Sequence, residues 1–246
     1  MRDWLLKLET EYDVDILFAC EAGSRAWGNE TSQSDYDIRF IFRYKDAKKY
    51  LSLRKWPETL DFQIPFDSTG FDIYKTFHLM LKSNPTIFEI AFSPTIYIEK
   101  VDFSTSLQEL IQNGYSLYSL IKHYGSLKKR NLMELSKGDF DFKKQKKLIQ
   151  ALRADLICEG MIEVNKVQSP FLYLENAKRV SPAKYQAYQN ITNAKRNNIL
   201  ISTTEYNDLI NLLEISKGES LAEKQERNDQ LQIKLDKWLW EIVGLQ

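Results

Sequence analysis

The sequence has little that supports metal-cluster, disulfide or membrane chemistry. Its 246 residues contain two cysteines, Cys20 and Cys158, and two histidines, His78 and His123. Neither cysteine sits in a Cys-x-x-Cys unit, so a structural zinc site and a disulfide framework are not expected, and the composition suits a reducing cytoplasm. No apolar run approaches the eighteen residues of a membrane span, and the N-terminal Met-Arg-Asp-Trp-Leu-Leu-Lys-Leu-Glu has no apolar core of signal-peptide length. Charge of one sign is also missing. Lys+Arg and Asp+Glu balance at 34 each, so the whole-chain field predicts no polyanion partner and leaves only a local basic patch for one. Gly-x-x-x-x-Gly-Lys-Ser/Thr, Gly-x-Ser-x-Gly and His-Glu-x-x-His are all absent, which argues against a P-loop NTPase, a serine hydrolase of the nucleophile-elbow type and a zincin.

What is present is a hydrophobic fraction of 43% with 28% charged residues, the balance of a globular protein. Two organisational halves follow from the change of hydrophobic period near residue 100. Residues 1–100 alternate short strands and helices. Arg2–Tyr12 reads as an amphipathic helix, Val14–Cys20 as a buried strand, Asp35–Tyr44 as a second strand and Lys45–Ser52 as a surface helical segment. Leu60–Ile64 and Phe66–Phe71 read as extended, Asp72 as the cap of a helix running to about Lys82, Ile87–Phe92 as a short helix and Thr95–Ile98 as a last strand. Residues 101–246 read as helices: Leu107–Ser119, Leu120–Lys137, Phe142–Glu163, Glu205–Ile215 and Leu221–Val243. The polar stretch Gln189–Asn198 reads as a mobile loop.

The chemistry concentrates in Gly23-Ser24-Arg25-Ala26-Trp27-Gly28 and Ser34-Asp35-Tyr36-Asp37-Ile38-Arg39-Phe40-Ile41. Alternate residues of a strand share a face, so a strand over 35–44 places Asp35 and Asp37 side by side. Two carboxylates on one rigid face make an oxygen-ligand site for a hard divalent cation, and apolar Ile38, Phe40 and Ile41 argue against an ordinary solvated acid pair. The Gly23-Ser24 turn offers a hydroxyl and backbone N–H groups to phosphate oxygens. Arg25 and Arg39 are further candidates for phosphate binding; Arg39 reads equally as a salt bridge neutralising the acid pair. Lys146, Lys147 and Arg153 fall on one long helix, either as a nucleotide-facing set or as a solvated basic face. His123 and Tyr124 read as packing residues that have the alternative of stacking a base.

Gly-Ser followed after about eleven residues by Asp-x-Asp on a strand resembles the nucleotidyltransferase superfamily of the DNA polymerase β type. The longer string Glu21–Gly28…Ser34–Ile41 is similar to one branch, a group of bacterial and phage nucleotidyltransferases of which some are linked to RNA repair. Asp67-Ser68-Thr69-Gly70-Phe71-Asp72-Ile73-Tyr74-Lys75, Lys82–Pro85, Phe92–Pro94, His123–Asn131 and Lys146–Arg153 continue the likeness, over roughly residues 15–165. The chain departs from that branch in reading Ser-Thr-Gly-Phe for Ser-Gly-Trp, and in placing Asp155 after Arg153.

The resemblance implies an α/β (α+β) nucleotidyltransferase domain with a mixed sheet over 1–100, followed by an all-helical substrate- and nucleotide-binding domain over 101–246. It implies Mg²⁺- or Mn²⁺-dependent transfer of a nucleoside monophosphate from an NTP such as ATP to a hydroxyl on an RNA end, a protein or a small molecule. Asp35 and Asp37 would bridge the metals. The third carboxylate comes from a neighbouring strand: Asp67 first, Asp72, equally suited to capping a helix, second, and Asp61 third. Gly23, Ser24, Arg25, Arg39, Lys147 and Arg153 would meet the triphosphate. The rival readings are a nucleotide or RNA sensor without catalysis on the same scaffold, and a toxin–antitoxin component that modifies a partner protein. Oligomeric state and the role of residues 170–246 stay open.

Overall fold

The computed structural model describes residues 1–214 and 229–245. The chain divides into two compact units. The first comprises residues 1–28, 34–115 and the C-terminal helix; the second comprises 29–33 and 116–214.

The first unit is built on a mixed five-stranded sheet. Its strands are β1 (Val14–Glu21), β2 (Asp37–Tyr44), β3 (Thr59–Phe62), β4 (Asp67–Asp72) and β5 (Ile96–Glu99), in the spatial order β3-β4-β2-β1-β5. The β2–β4 pair is parallel and the other three pairs are antiparallel. The apolar runs of β1 and β2 are buried on both faces, as expected of central strands. On one face Val14, Ile16, Ala19, Ile38, Phe40 and Phe42 pack under Leu5 and Leu8 of α1 (Arg2–Glu11). On the other, the Phe18 ring stacks on Phe103 of α5 (Phe103–Gly114), with ring centroids 6.2 Å apart. Gly70 of β4 leaves the space that the Phe40 ring takes from the next strand: a Cβ there would meet Phe40 Cε2 at 2.1 Å.

Short elements complete this unit: α2 (Gly23–Ala26), a 3-10 turn at Ala47–Leu51, α3 (Ile73–Met80) and α4 (Pro85–Ala91). Asn84 caps α4 by accepting from Thr86 N and Ile87 N, so Ser83-Asn84-Pro85 starts a helix as well as ending one. The C-terminal helix α11 (Asp229–Val243) packs here too, with the Trp238 ring 5.1 Å from Phe77 and 4.9 Å from Phe103. Residue 215 and residues 221–228 of the two helices expected at the C-terminus lie outside the described residues.

The second unit is helical: α6 (Leu117–Leu135), α7 (Phe142–Val164), α8 (Pro170–Val180), α9 (Pro182–Arg196) and α10 (Thr203–Glu214). Pro170 and Pro182 both occupy the first helical turn, where a missing N–H costs nothing. The expectation of a loop over Gln189–Asn198 is corrected: Gln189–Arg196 completes α9, because Tyr188, Ile191 and Thr192 present a buried stripe at helical spacing. The long helix α7 carries Leu148, Ile149, Leu152 and Leu156 into the core. It also carries the buried Asp155, which accepts from Lys128 Nζ at 2.8 Å and Lys184 Nζ at 2.7 Å. This pairing accounts for an acid at a position otherwise fit for an apolar residue. No described helix is long and apolar enough to cross a membrane.

Candidate active site

The site starts where β1 ends. Ala22 N donates to Asp37 O at 2.6 Å, so the turn after β1 is tied to the first residue of β2. Gly23 then adopts φ +57°, a left-handed conformation that glycine takes without steric cost. A Cβ on it would lie 2.3 Å from Asp37 Oδ2, so the turn and the carboxylate are in contact. Ser24 follows in α2, and its hydroxyl makes no hydrogen bond to any described residue.

Asp37 and Asp67 are register partners at the start of the parallel pair β2–β4, and partners in register share a sheet face. Arg39 joins them on that face: its Nη1 lies 2.6 Å from Asp37 Oδ1 and 4.0 Å from Asp67 Oδ1. The two carboxylate oxygens are therefore at most about 7 Å apart, a span that cations spaced about 4 Å apart can bridge. Arg39 approaches Asp37 Oδ1 closely but off the hydrogen-bonding direction, and that oxygen is buried with no hydrogen-bond donor. Burial raises the Asp37 pKa; Arg39 opposes the shift, and Asp67 and Glu21 add to it.

Asp35 does not stand on the strand. It precedes β2 and is exposed, and its carboxylate has no partner among the described residues. The expectation of a strand that already includes Asp35 is therefore corrected: β2 begins at Asp37. The reason is Arg25, which donates through Nη2 to Ser34 O at 2.8 Å and through Nε to Asp35 O at 3.3 Å, and which lies 4.0 Å over the Tyr36 ring. Those carbonyls are engaged outside the ladder, and β4 offers no partner before Asp67. Arg25 thus holds the loop that carries Asp35.

Asp72 lies at the far end of β4 and is not brought to Asp37. It caps α3, accepting from Tyr74 N at 2.8 Å and Tyr50 OH at 2.7 Å, and burial lifts its pKa to about 6. Asp61 is exposed on β3, opposite Thr69. Cys20, the register partner of Arg39, is buried with its thiol pushed up to about 12, which leaves it inert.

One residue of this site had a place in the quoted string but no role. Glu21, buried at the end of β1, accepts from Asp37 N at 2.9 Å and from the Tyr97 hydroxyl. It fixes the backbone of Asp37 from the neighbouring strand. An acid at the end of an otherwise apolar strand run was the available signal.

On the helical unit, Lys147 pairs with Glu134. Lys146 and Arg153 join Arg196 in depressing the pKa of Lys195, after burial, the largest cause. Lys195 Nζ also donates to Asn29 O at 2.5 Å. His123 is half-buried, its pKa lowered by burial and by Arg130, and it meets the Tyr124 ring edge-on at 5.5 Å.

As a donor set, Asp37 and Asp67 fit a hard cation: oxygen ligands on a rigid pair of strands, with the buried Asp37 Oδ1 in an ion pair with Arg39 but in no hydrogen bond. Among the described residues no three His, Cys, Asp or Glu side chains converge on one point.

A family model described as the RNA repair pathway DNA polymerase beta family matches residues 1–241. The Bacillus subtilis (strain 168) protein YcgL, described as uncharacterized, is 33% identical over 159 residues, which cover 64% of this chain and 60% of that protein. The match thus spans less than two thirds of that relative's length. A solved nucleotidyltransferase-like protein from Exiguobacterium sibiricum 255-15 is 15% identical, with a TM-score of 0.37 over 100% of this chain and 80% of that one. With its family match running nearly end to end, the chain belongs to the RNA repair pathway DNA polymerase beta family.

Proposed function

We propose that this chain transfers a nucleoside monophosphate from an NTP to a hydroxyl acceptor, with Mg²⁺ or Mn²⁺, and that the acceptor is an RNA end. The observation that carries the reading is Asp37: a half-buried carboxylate paired with Arg39, in register with Asp67 and in contact with the Gly23-Ser24 turn. The description of the family as one of an RNA repair pathway supports the RNA acceptor over a protein or a small molecule.

Asp37 and Asp67 would hold the cation, and Asp35 would complete the set from its loop. A divalent cation held there would neutralise triphosphate charge and lower the pKa of an attacking hydroxyl. Ser24, whose hydroxyl has no partner among the described residues, donates it to a phosphate oxygen. Arg39 has two roles: counter-ion of Asp37 in the state described, and, once that pairing is replaced, a charge on the same face for the triphosphate. Glu21 orients Asp37 through its backbone N–H. Arg25 holds the Asp35 loop. On the helical unit Lys147 is engaged with Glu134.

The test incubates the full chain with each of four α-labelled NTPs, Mg²⁺ or Mn²⁺, and RNA with a free terminal hydroxyl. Label should move to RNA with release of pyrophosphate, and Asp37→Asn should stop it. A second reading, a nucleotide sensor without catalysis, draws on the Arg39–Asp37 pair and on the absence of three converging ligands among the described residues. It requires NTP binding by wild type with no pyrophosphate release under any of those conditions.

A further inference from the structure

A second concave site lies at the other end of the sheet. Asp37 and Tyr44 bound β2, about 23 Å apart along a strand rising about 3.3 Å per residue. At the Tyr44 end is a cavity of about 380 Å³, the lower range of small-ligand pockets. Its lining includes five aromatic side chains, Tyr44, Tyr50, Trp56, Tyr74 and Trp240, and three cations, Lys49, Arg54 and Lys55. Two of the cations are already against the rings. Lys49 Nζ lies 4.6 Å over Tyr44 and 4.7 Å over Trp56, and the Arg54 guanidinium lies 4.4 Å over Trp56.

The carboxylates of this cavity are engaged. Asp72 accepts from Tyr50 OH and Tyr74 N, and Glu58 pairs with Lys75. Lys49 has Asp13 as partner, whereas Arg54 and Lys55 are exposed and have no carboxylate partner among the described residues. The Trp56 indole N–H is buried and meets no acceptor there. Such a donor is uncommon in a finished site.

We propose that this cavity binds a nucleobase together with its phosphate. The base stacks on the Trp56–Arg54 platform, and Arg54 and Lys55 meet the phosphate. Bases stack on aromatic and guanidinium planes alike. A purely apolar occupant is disfavoured, because it would strip water from two cations and return no counter-charge. The inference does not rest on the transfer reading, since no residue of the Asp37 site lines the cavity.

The experiment titrates the full chain with AMP, GMP, CMP and UMP, and with a short single-stranded RNA. It is read by tryptophan fluorescence and calorimetry in EDTA, so that binding needing a divalent cation is suppressed. Wild type and Asp37→Asn should bind alike. Trp56→Ala should weaken binding at least about tenfold, and Trp56→Phe less than about threefold. Arg54→Gln should weaken it and flatten its salt dependence. Lys55→Gln, at an exposed position, gives a second reading through the phosphate if Trp56→Ala does not fold. Tighter binding of RNA than of any mononucleotide identifies a strand nucleotide as the ligand, and equal or weaker binding identifies a free mononucleotide. Absence of binding at about 1 mM, equal affinity of the Trp56→Ala and Lys55→Gln variants and wild type, or loss in Asp37→Asn overturns the proposal.

Discussion

A side chain on Gly23 would strike Asp37. The 2.3 Å from a built Cβ to Asp37 Oδ2 means that one cannot be enlarged without moving the other. Gly23→Ala adds a methyl at φ +57°, which itself costs about 1 kcal/mol. We expect the variant to melt lower than wild type by several degrees and to lose nucleotidyl transfer at least about 100-fold. A thermal melt and a transfer assay on the same preparation check this. Full activity would show that the turn and the carboxylate move independently.

The two facing strands give the carboxylates unequal weight. Asp37→Asn and Asp67→Asn should each lower transfer at least about 100-fold, with the cooperative unfolding transition retained. Asp72→Asn should leave transfer within about threefold, because Asp72 serves α3. Rates at saturating NTP and metal, alongside circular dichroism, separate the three. An Asp72→Asn loss as deep as that of Asp37→Asn would relocate the site.

Arg39 occupies the Asp37–Asp67 face in the state described, so it competes with a cation. Arg39→Met should therefore increase the rise in melting temperature that Mg²⁺ produces, while lowering stability in EDTA, where Asp37 keeps its burial without its counter-ion. Differential scanning fluorimetry across a Mg²⁺ series reads both effects. An unchanged Mg²⁺-induced shift would remove the competition.

Asp72 gives a pH dependence with a definite sign. Its pKa of about 6 exceeds the ordinary carboxylate value of 3.8, so the folded chain holds this proton more tightly than the unfolded chain. The stabilisation is fully present below pH 3.8 and is lost as pH rises through about 6. Two units correspond to about 3 kcal/mol as an upper figure. Asp72→Asn retains the helix cap and cannot titrate. The stability of wild type relative to that variant should therefore increase as pH falls from 7 to 4, measured by urea unfolding at each pH. A constant difference would show that Asp72 ionises normally.

Much of this was legible in the residues, and the gaps have local causes. Apolar runs placed β1 and β2, and the Asp72 cap and the Gly23 turn follow directly from residue type. Asp35 was misplaced because pattern alone puts acids at i and i+2 on a strand; the Arg25 hydrogen bonds to Ser34 O and Asp35 O are contacts across ten residues that no period encodes. Gln189–Arg196 looked like a loop because its polar residues outnumber the buried Tyr188, Ile191 and Thr192, and packing decides there over composition. The role of Glu21 needed the strand ladder, since its partner Asp37 N is sixteen residues away.

The most direct measurement of the central claim is label transfer from α-labelled NTP to RNA by wild type and by Asp37→Asn, with pyrophosphate followed in parallel. Wild type should move label and release pyrophosphate in equal amounts, and the variant should do neither while still folding. Equal transfer by both, or label that reaches RNA only from the γ-position, would contradict it.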